Sequence, residues 1–146
     1  MIASQRIAVP VDGAAPGTSS TAAKIGWTCT GLAALFLAFD TVLKILELQP
    51  AVEGTIALGY PAGSVQWIGI IELVCLVLYL APRTSVLGAL LLTGYLGGAV
   101  ATHVRISSPL LTHTLFPIYV ALMLWGGLYL REQRLRDVVP LRRRSQ

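Results

Sequence analysis

The chain has 146 residues, 55% of them hydrophobic and only 12% charged, with a formal net charge of +4. So apolar a composition excludes an ordinary soluble domain of this length and fits a small polytopic membrane protein. The basic residues gather at predicted helix ends and in the C-terminal tail, without interleaved aromatics, which argues against a nucleic-acid partner and makes them topology signals.

Residues 1–23 carry Pro10, Gly13, Pro16, Gly17 and the run Thr18-Ser19-Ser20-Thr21, with no apolar core of signal-peptide length and no helical period. They read as a disordered N-terminal tail. A first span is predicted over 24–48, since roughly 20 apolar residues cross the hydrocarbon layer as a helix. Inside it Asp40, Lys44 and Glu47 fall at four- and seven-residue spacing, so one helical face carries a polar stripe. Gln49-Pro50 ends this span. The stretch 51–60 is too short to cross and is expected to lie at the interface as a lid-like helix or a loop.

A second span, 64–81, starts at Ser64 as N-cap, has Trp67 at the interfacial level, carries the single charge Glu72 and stops at Pro82. A third, 84–104, is rich in small residues and includes a Gly94/Gly98 GxxxG spacing, which predicts close helix approach. The contact within the monomer is the favoured reading and a homodimer the alternative. The fourth, 109–130, starts from Ser108-Pro109 and contains Pro117, which should kink the helix one turn from His113. Residues 131–146 form a basic tail suited to anionic headgroups. Cys29 and Cys75 form no CxxC pair and read as buried free thiols.

The fold class is therefore all-α, an integral membrane four-helix bundle. Arg6, Lys24, Arg83 and the arginines after residue 130 lie on one side and Arg105 alone on the other, which predicts both termini in the cytoplasm. With about 1.5 Å of rise per residue, Asp40 lies roughly 24 Å from the cytoplasmic start of its span. Glu72, Tyr95, His103 and His113 reach the same outer half from the other three helices. The polar groups thus converge on one end of the bundle.

A charge at mid-membrane costs roughly 3 kcal/mol on insertion scales, so these groups should be paired, protonated or watered. Asp40 and Lys44 form the obvious pair, and the plainest use of that pair is to lower the insertion cost. Glu72 would either hold a proton or pair across the bundle with Lys44, Arg105 or a histidine. Glu72 and Asp40 are the candidate proton-exchanging residues; Lys44, Tyr95, His103, Arg105 and His113 are candidate ligand-binding residues. Their spacing matches no ExxH or HExxH metal motif.

The strings FDTVLK (39–44), LGYP (58–61), GIIELVCLVLYLAPRT (69–84), GALLLTGYLGGAVATHVR (88–105) and HTLFP (113–117) resemble the DoxX-like family of small four-helix membrane proteins. The resemblance runs from about Trp27 to Leu130. It implies the four-span fold, a bacterial-type inner membrane, and quinone-linked electron transfer beside a redox partner subunit. It also places Asp40, Lys44, Glu72, His103 and Arg105 on the family's recurrent polar positions. The chain has no haem pattern, dinucleotide glycine motif or cysteine pair, so no redox cofactor is built in and quinone is the implied ligand. The competing expectations are a non-catalytic bundle for assembly or lipophilic small-molecule binding, and an acid/base enzyme on a lipophilic substrate.

Overall fold

The computed structural model describes residues 20–132 together with 135 and 136. The expected disordered stretch before residue 20 and most of the basic tail, including Arg134, Arg142, Arg143 and Arg144, lie outside the described residues. Among those described, all regular structure is helical: α1 (Ser20–Ile45), α2 (Gln49–Ala57), α3 (Val65–Leu80), α4 (Ser85–Arg105) and α5 (Phe116–Arg131), with a 3-10 turn at Ala62–Ser64 and a π turn at Leu110–Thr114. Four segments, Thr21–Ile45, Ala62–Leu80, Ser85–Arg105 and Leu110–Arg131, are long and apolar enough to cross a membrane. The apolar runs explain the helices, because a backbone out of water must satisfy its hydrogen bonds within its own segment.

The helices form a ring in which α1 packs on α3 and α5, and α4 completes the circuit between them. Leu37, Leu76, Tyr79, Leu92, Leu124 and Leu128 fill the centre. Leu35, Phe39, Val42, Val74, Val77, Leu90 and Leu122 point outward, an apolar belt that a bilayer would cover.

Glycines fix how closely the helices approach, though at other positions than the GxxxG spacing suggests. A Cβ on Gly88 would lie 2.1 Å from the Tyr79 backbone nitrogen, and one on Gly127 would lie 2.6 Å from Thr30 Oγ1. The α3–α4 and α1–α5 backbones therefore touch near the Arg131 end of the ring. Gly94 and Gly98 meet nothing within 4 Å, so the expected close contact within the monomer is not made there.

Three helix ends close at the opposite end of the bundle by the same turn, with paired backbone bonds that tie off the last carbonyls. After α1, Leu48 N–H donates to Leu43 O at 3.0 Å and Glu47 N–H to Lys44 O at 3.1 Å. After α4, Ser108 N–H donates to His103 O at 3.0 Å, and after α2, Tyr60 N–H donates to Thr55 O at 3.1 Å. The left-handed residues are Glu47 (φ 49°), Ser107 (φ 55°) and Gly59 (φ 84°). Only Gly59 adopts that region without steric cost. The turn takes Glu47 out of the helix, so it does not continue the polar stripe of Asp40 and Lys44.

Two predicted caps and the kink take different forms. Ser64 is helical (ψ −16°) and its hydroxyl donates to Pro61 O at 2.6 Å instead of capping α3. Ser108 Oγ meets His103 Nδ1 at 3.0 Å, and Pro109 precedes the π turn. Segment four is interrupted, not bent: Leu115 N–H donates to Leu110 O at 2.9 Å, and α5 restarts at Phe116 with Pro117 in its first turn. A missing N–H costs nothing in a first turn. Of the two free cysteines, Cys75 is buried and Cys29 only half-buried.

Candidate functional site

The site is built around one ammonium. Asp40 and Lys44 lie one turn apart on α1, and Lys44 Nζ donates to Asp40 Oδ2 at 2.5 Å. It also donates to Glu72 Oε2 on α3 at 2.9 Å and to the Tyr95 hydroxyl oxygen on α4 at 2.8 Å. A lysine ammonium has three protons, so all of them are committed. The Tyr95 O–H in turn donates to Glu72 Oε2 at 2.8 Å, closing a ring of hydrogen bonds across three helices. Lys44 therefore serves Asp40 and Glu72 together.

What brings Glu72 within reach is Gly69, one turn earlier on α3. A Cβ there would stand 2.8 Å from Lys44 Cβ, so only glycine lets α3 lie this close to α1. The Glu72 side chain is fully buried. Its second oxygen, Oε1, and Thr41 Oγ1 are buried without a hydrogen-bond partner. Thr55, Thr93 and Thr102 each donate to the carbonyl four residues back, which makes the unpaired Thr41 hydroxyl unusual in this bundle. A buried polar atom left without a partner costs on the order of 1 to 3 kcal/mol.

Above the charge cluster is a cavity of about 590 Å³. Asp40, Lys44, Glu72, Tyr95, His103 and His113 all line it, and Phe36, Leu37, Leu96, Phe116, Pro117 and Val120 supply much of its apolar wall. Pro50, Ala51, Gly54, Thr55 and Ala57 of α2 roof it, so the short helix between the first two spans covers the site. A second cavity of about 330 Å³, lined by Ile68, Ile71, Gly94, Gly98 and Thr102, shares Lys44 and Tyr95 as a common wall. The open faces of Gly94 and Gly98 thus border space instead of a neighbouring helix.

The two histidines approach each other, with ring centroids 5.9 Å apart at 59°. Each Nδ1 is held by a hydroxyl, His103 by Ser108 at 3.0 Å and His113 by Thr112 at 2.8 Å. Both Nε2 atoms lack a hydrogen bond among the described residues, although His113 is exposed. Among the described residues no group of three or more His, Cys, Asp and Glu side chains is placed to hold a metal ion.

Of the partners considered for Glu72, Lys44 is the one it meets, and Arg105 stands apart from the cluster. Its Nη2 donates to Leu58 O at 2.7 Å, and its guanidinium lies 5.7 Å over the Tyr60 ring. The Tyr60 hydroxyl is 2.8 Å from Thr102 Oγ1. Arg105 and Tyr60 therefore fasten the end of α2 to α4. Sequence reasoning missed this role, and it missed Gly69 and Thr41, which carry no charge to mark them.

Four helices able to span a bilayer, ringed about a charge cluster and roofed by a short fifth, make this a small polytopic membrane protein with a cavity over the charge cluster at one end of its bundle. Within that class the chain belongs to the DoxX-like family, whose profile matches residues 28–127 and so includes every candidate site residue. No curated protein and no solved structure matches the chain.

Proposed function

We propose that the chain holds a lipophilic small molecule in the larger cavity, as a quinone-binding accessory to a redox partner in a bacterial-type inner membrane. The observation that carries this reading is the cavity itself. It is large enough for a single-ring head group, mostly apolar, and lined by His103 and His113, whose Nε2 atoms have no hydrogen-bond partner among the described residues. A quinone needs donors for its carbonyl oxygens, and the histidines can supply them where Lys44 and Tyr95 cannot. The family likeness supports the redox setting. Lys24, Arg83, Arg131 and Arg136 at one end of the ring, against Arg105 at the other, support termini on the cytoplasmic side and a cavity in the outer half.

The test is mass spectrometry of the lipophilic extract of the detergent-solubilised full chain, followed by titration of the delipidated protein with a short-chain quinone. The reading expects a quinone in the extract, saturable rebinding, and weaker rebinding when His103 and His113 are both changed to Phe. Protein that carries no quinone and does not take one up would reject it.

A further inference from the structure

Quinone binding by the histidines leaves the acidic wall of the cavity without a role. Every donor proton of the cluster is already used, three on Lys44 Nζ and one on the Tyr95 hydroxyl. The atoms left over are acceptors: Glu72 Oε1, buried and unpartnered, and Asp40 Oδ1, on a side chain 33% exposed. One ammonium faces two carboxylates, so with both ionised the wall carries one negative charge that no ion pair among the described residues balances.

The other cations among the described residues lie away from this wall. Arg105 is tied to Leu58 O and to the Tyr60 ring, and Lys24, Arg83 and Arg131 belong to the opposite end of the ring. The remaining titratable groups that face the cavity are His103 from α4 and His113 from the π turn. A bare metal ion would need more oxygens than this wall presents. An ammonium attached to an apolar body needs few acceptors, and it gains from aromatic faces. Phe36 and Phe116, edge to face at 5.1 Å, line the same cavity.

We propose that the cavity accepts an amphipathic amine, with its ammonium on Glu72 Oε1 and Asp40 and its apolar body between Phe36, Leu96 and Val120. Glu72 is the selecting residue, because its unpartnered carboxylate oxygen is buried whereas the Asp40 side chain is partly exposed. The proposal rests on the cavity being a ligand site but not on that ligand being a quinone.

The test is titration calorimetry on the full chain in detergent, with empty micelles subtracted, using decylamine, decanol and decanoate as probes with one tail and three head groups. Decylamine is expected to bind about tenfold more tightly than decanol, the gain of a charge-assisted over a neutral hydrogen bond, and decanoate more weakly than either. Glu72→Gln should erase the preference for the amine while decanol still binds. Should that variant fail to fold, Asp40→Asn leaves Lys44 paired with Glu72 alone and should erase the preference as well.

Equal or tighter binding of decanol to the wild-type chain would overturn the proposal, since the wall would then already hold a proton. A preference that survives in both variants would overturn it too, by placing the amine elsewhere. If no probe binds, this inference falls and the quinone titration alone decides the ligand-binding reading; binding without preference for charge likewise overturns this inference alone.

Discussion

At the Arg131 end of the bundle the Tyr79 hydroxyl donates to Leu124 O at 2.9 Å and accepts from Thr30 at 3.2 Å, so the buried tyrosine is satisfied twice. Arg131 lies over the Trp27 and Tyr79 rings at 4.7 and 5.3 Å, and Arg136 donates to Tyr129 O at 2.7 Å and to Leu130 O. At the α2 end the helices part, Glu72 Oε1 and Thr41 Oγ1 lack partners among the described residues, and two cavities open, the smaller where Gly94 and Gly98 could have brought α3 and α4 together. One end is held by backbone contact, and no buried side-chain atom among its described residues lacks a partner; its own hollow, about 470 Å³, borders Pro82, Arg83, Ser85, Val86 and Glu132 at the α3–α4 turn. The other holds charge over empty space. The contrast teaches that the Arg131 end clamps the bundle, so that the α2 end can keep a site that close packing alone would have closed.

The largest effect that would break this contrast comes from Lys44. Replacing it by Met leaves two carboxylates without their shared cation and should destabilise the bundle by about 3 to 5 kcal/mol, the range for removing one partner of a buried pair. Adding Glu72→Gln to that variant should recover part of the loss, because the carboxylate no longer needs a counter-charge. Denaturant titration of the purified single and double variants measures both. A single variant as stable as wild type would mean that the cluster is more hydrated than its burial implies.

Next in size is Gly88→Ala. Its Cβ would meet the Tyr79 nitrogen at 2.1 Å, and backbone has no rotamer to move, so overpacking should cost about 2 to 3 kcal/mol. The unfolding midpoint should fall, and the α3–α4 pair should lose proteolytic protection first. Tyr79→Phe follows. It removes the hydroxyl that links Thr30 to Leu124 O and should cost about 1 to 2 kcal/mol. Ligand binding at the α2 end should be unaffected, and weakened binding in that variant would show that the two ends are coupled.

The same division governs what could be read from the sequence. The spanning helices were legible because hydropathy and length determine them. The meeting of Asp40, Lys44, Glu72 and Tyr95 followed from helix rise and charge, since few positions can hold such groups in an apolar layer. Close approach was less legible. Gly94 and Gly98 have the motif spacing yet border a cavity, while Gly69 and Gly88 have none and decide where α3 lies. A glycine permits contact but does not say whether a neighbour uses it. The turns at Glu47 and Ser107 were hidden for a related reason: a glycine normally marks the left-handed residue, and here paired backbone hydrogen bonds close the turn around an exposed residue with a steric cost. The interruption at Leu115 was half visible, because Pro117 signals that the helix cannot run on unchanged but not that a π turn precedes it.

The smallest expected effect is the sharpest check on the contrast. Gly94→Ala places a methyl where nothing lies within 4 Å, so stability should stay within about 0.5 kcal/mol of wild type. Gly88→Ala makes the same chemical change on the same helix, and the two differ only in what stands opposite. If Gly94→Ala proved as damaging as Gly88→Ala, the smaller cavity would not persist in the membrane, and α3 and α4 would be closed along their whole length. Wild-type stability would instead locate the helix contact at one end of α4 and leave the face of Gly94 and Gly98 as a lipid-side wall of the Lys44 and Tyr95 cluster. A bulkier change, Gly98→Leu, then separates space from stability. It should fill the smaller cavity with little effect on unfolding, and the larger cavity, roofed by α2, should bind its ligand as before.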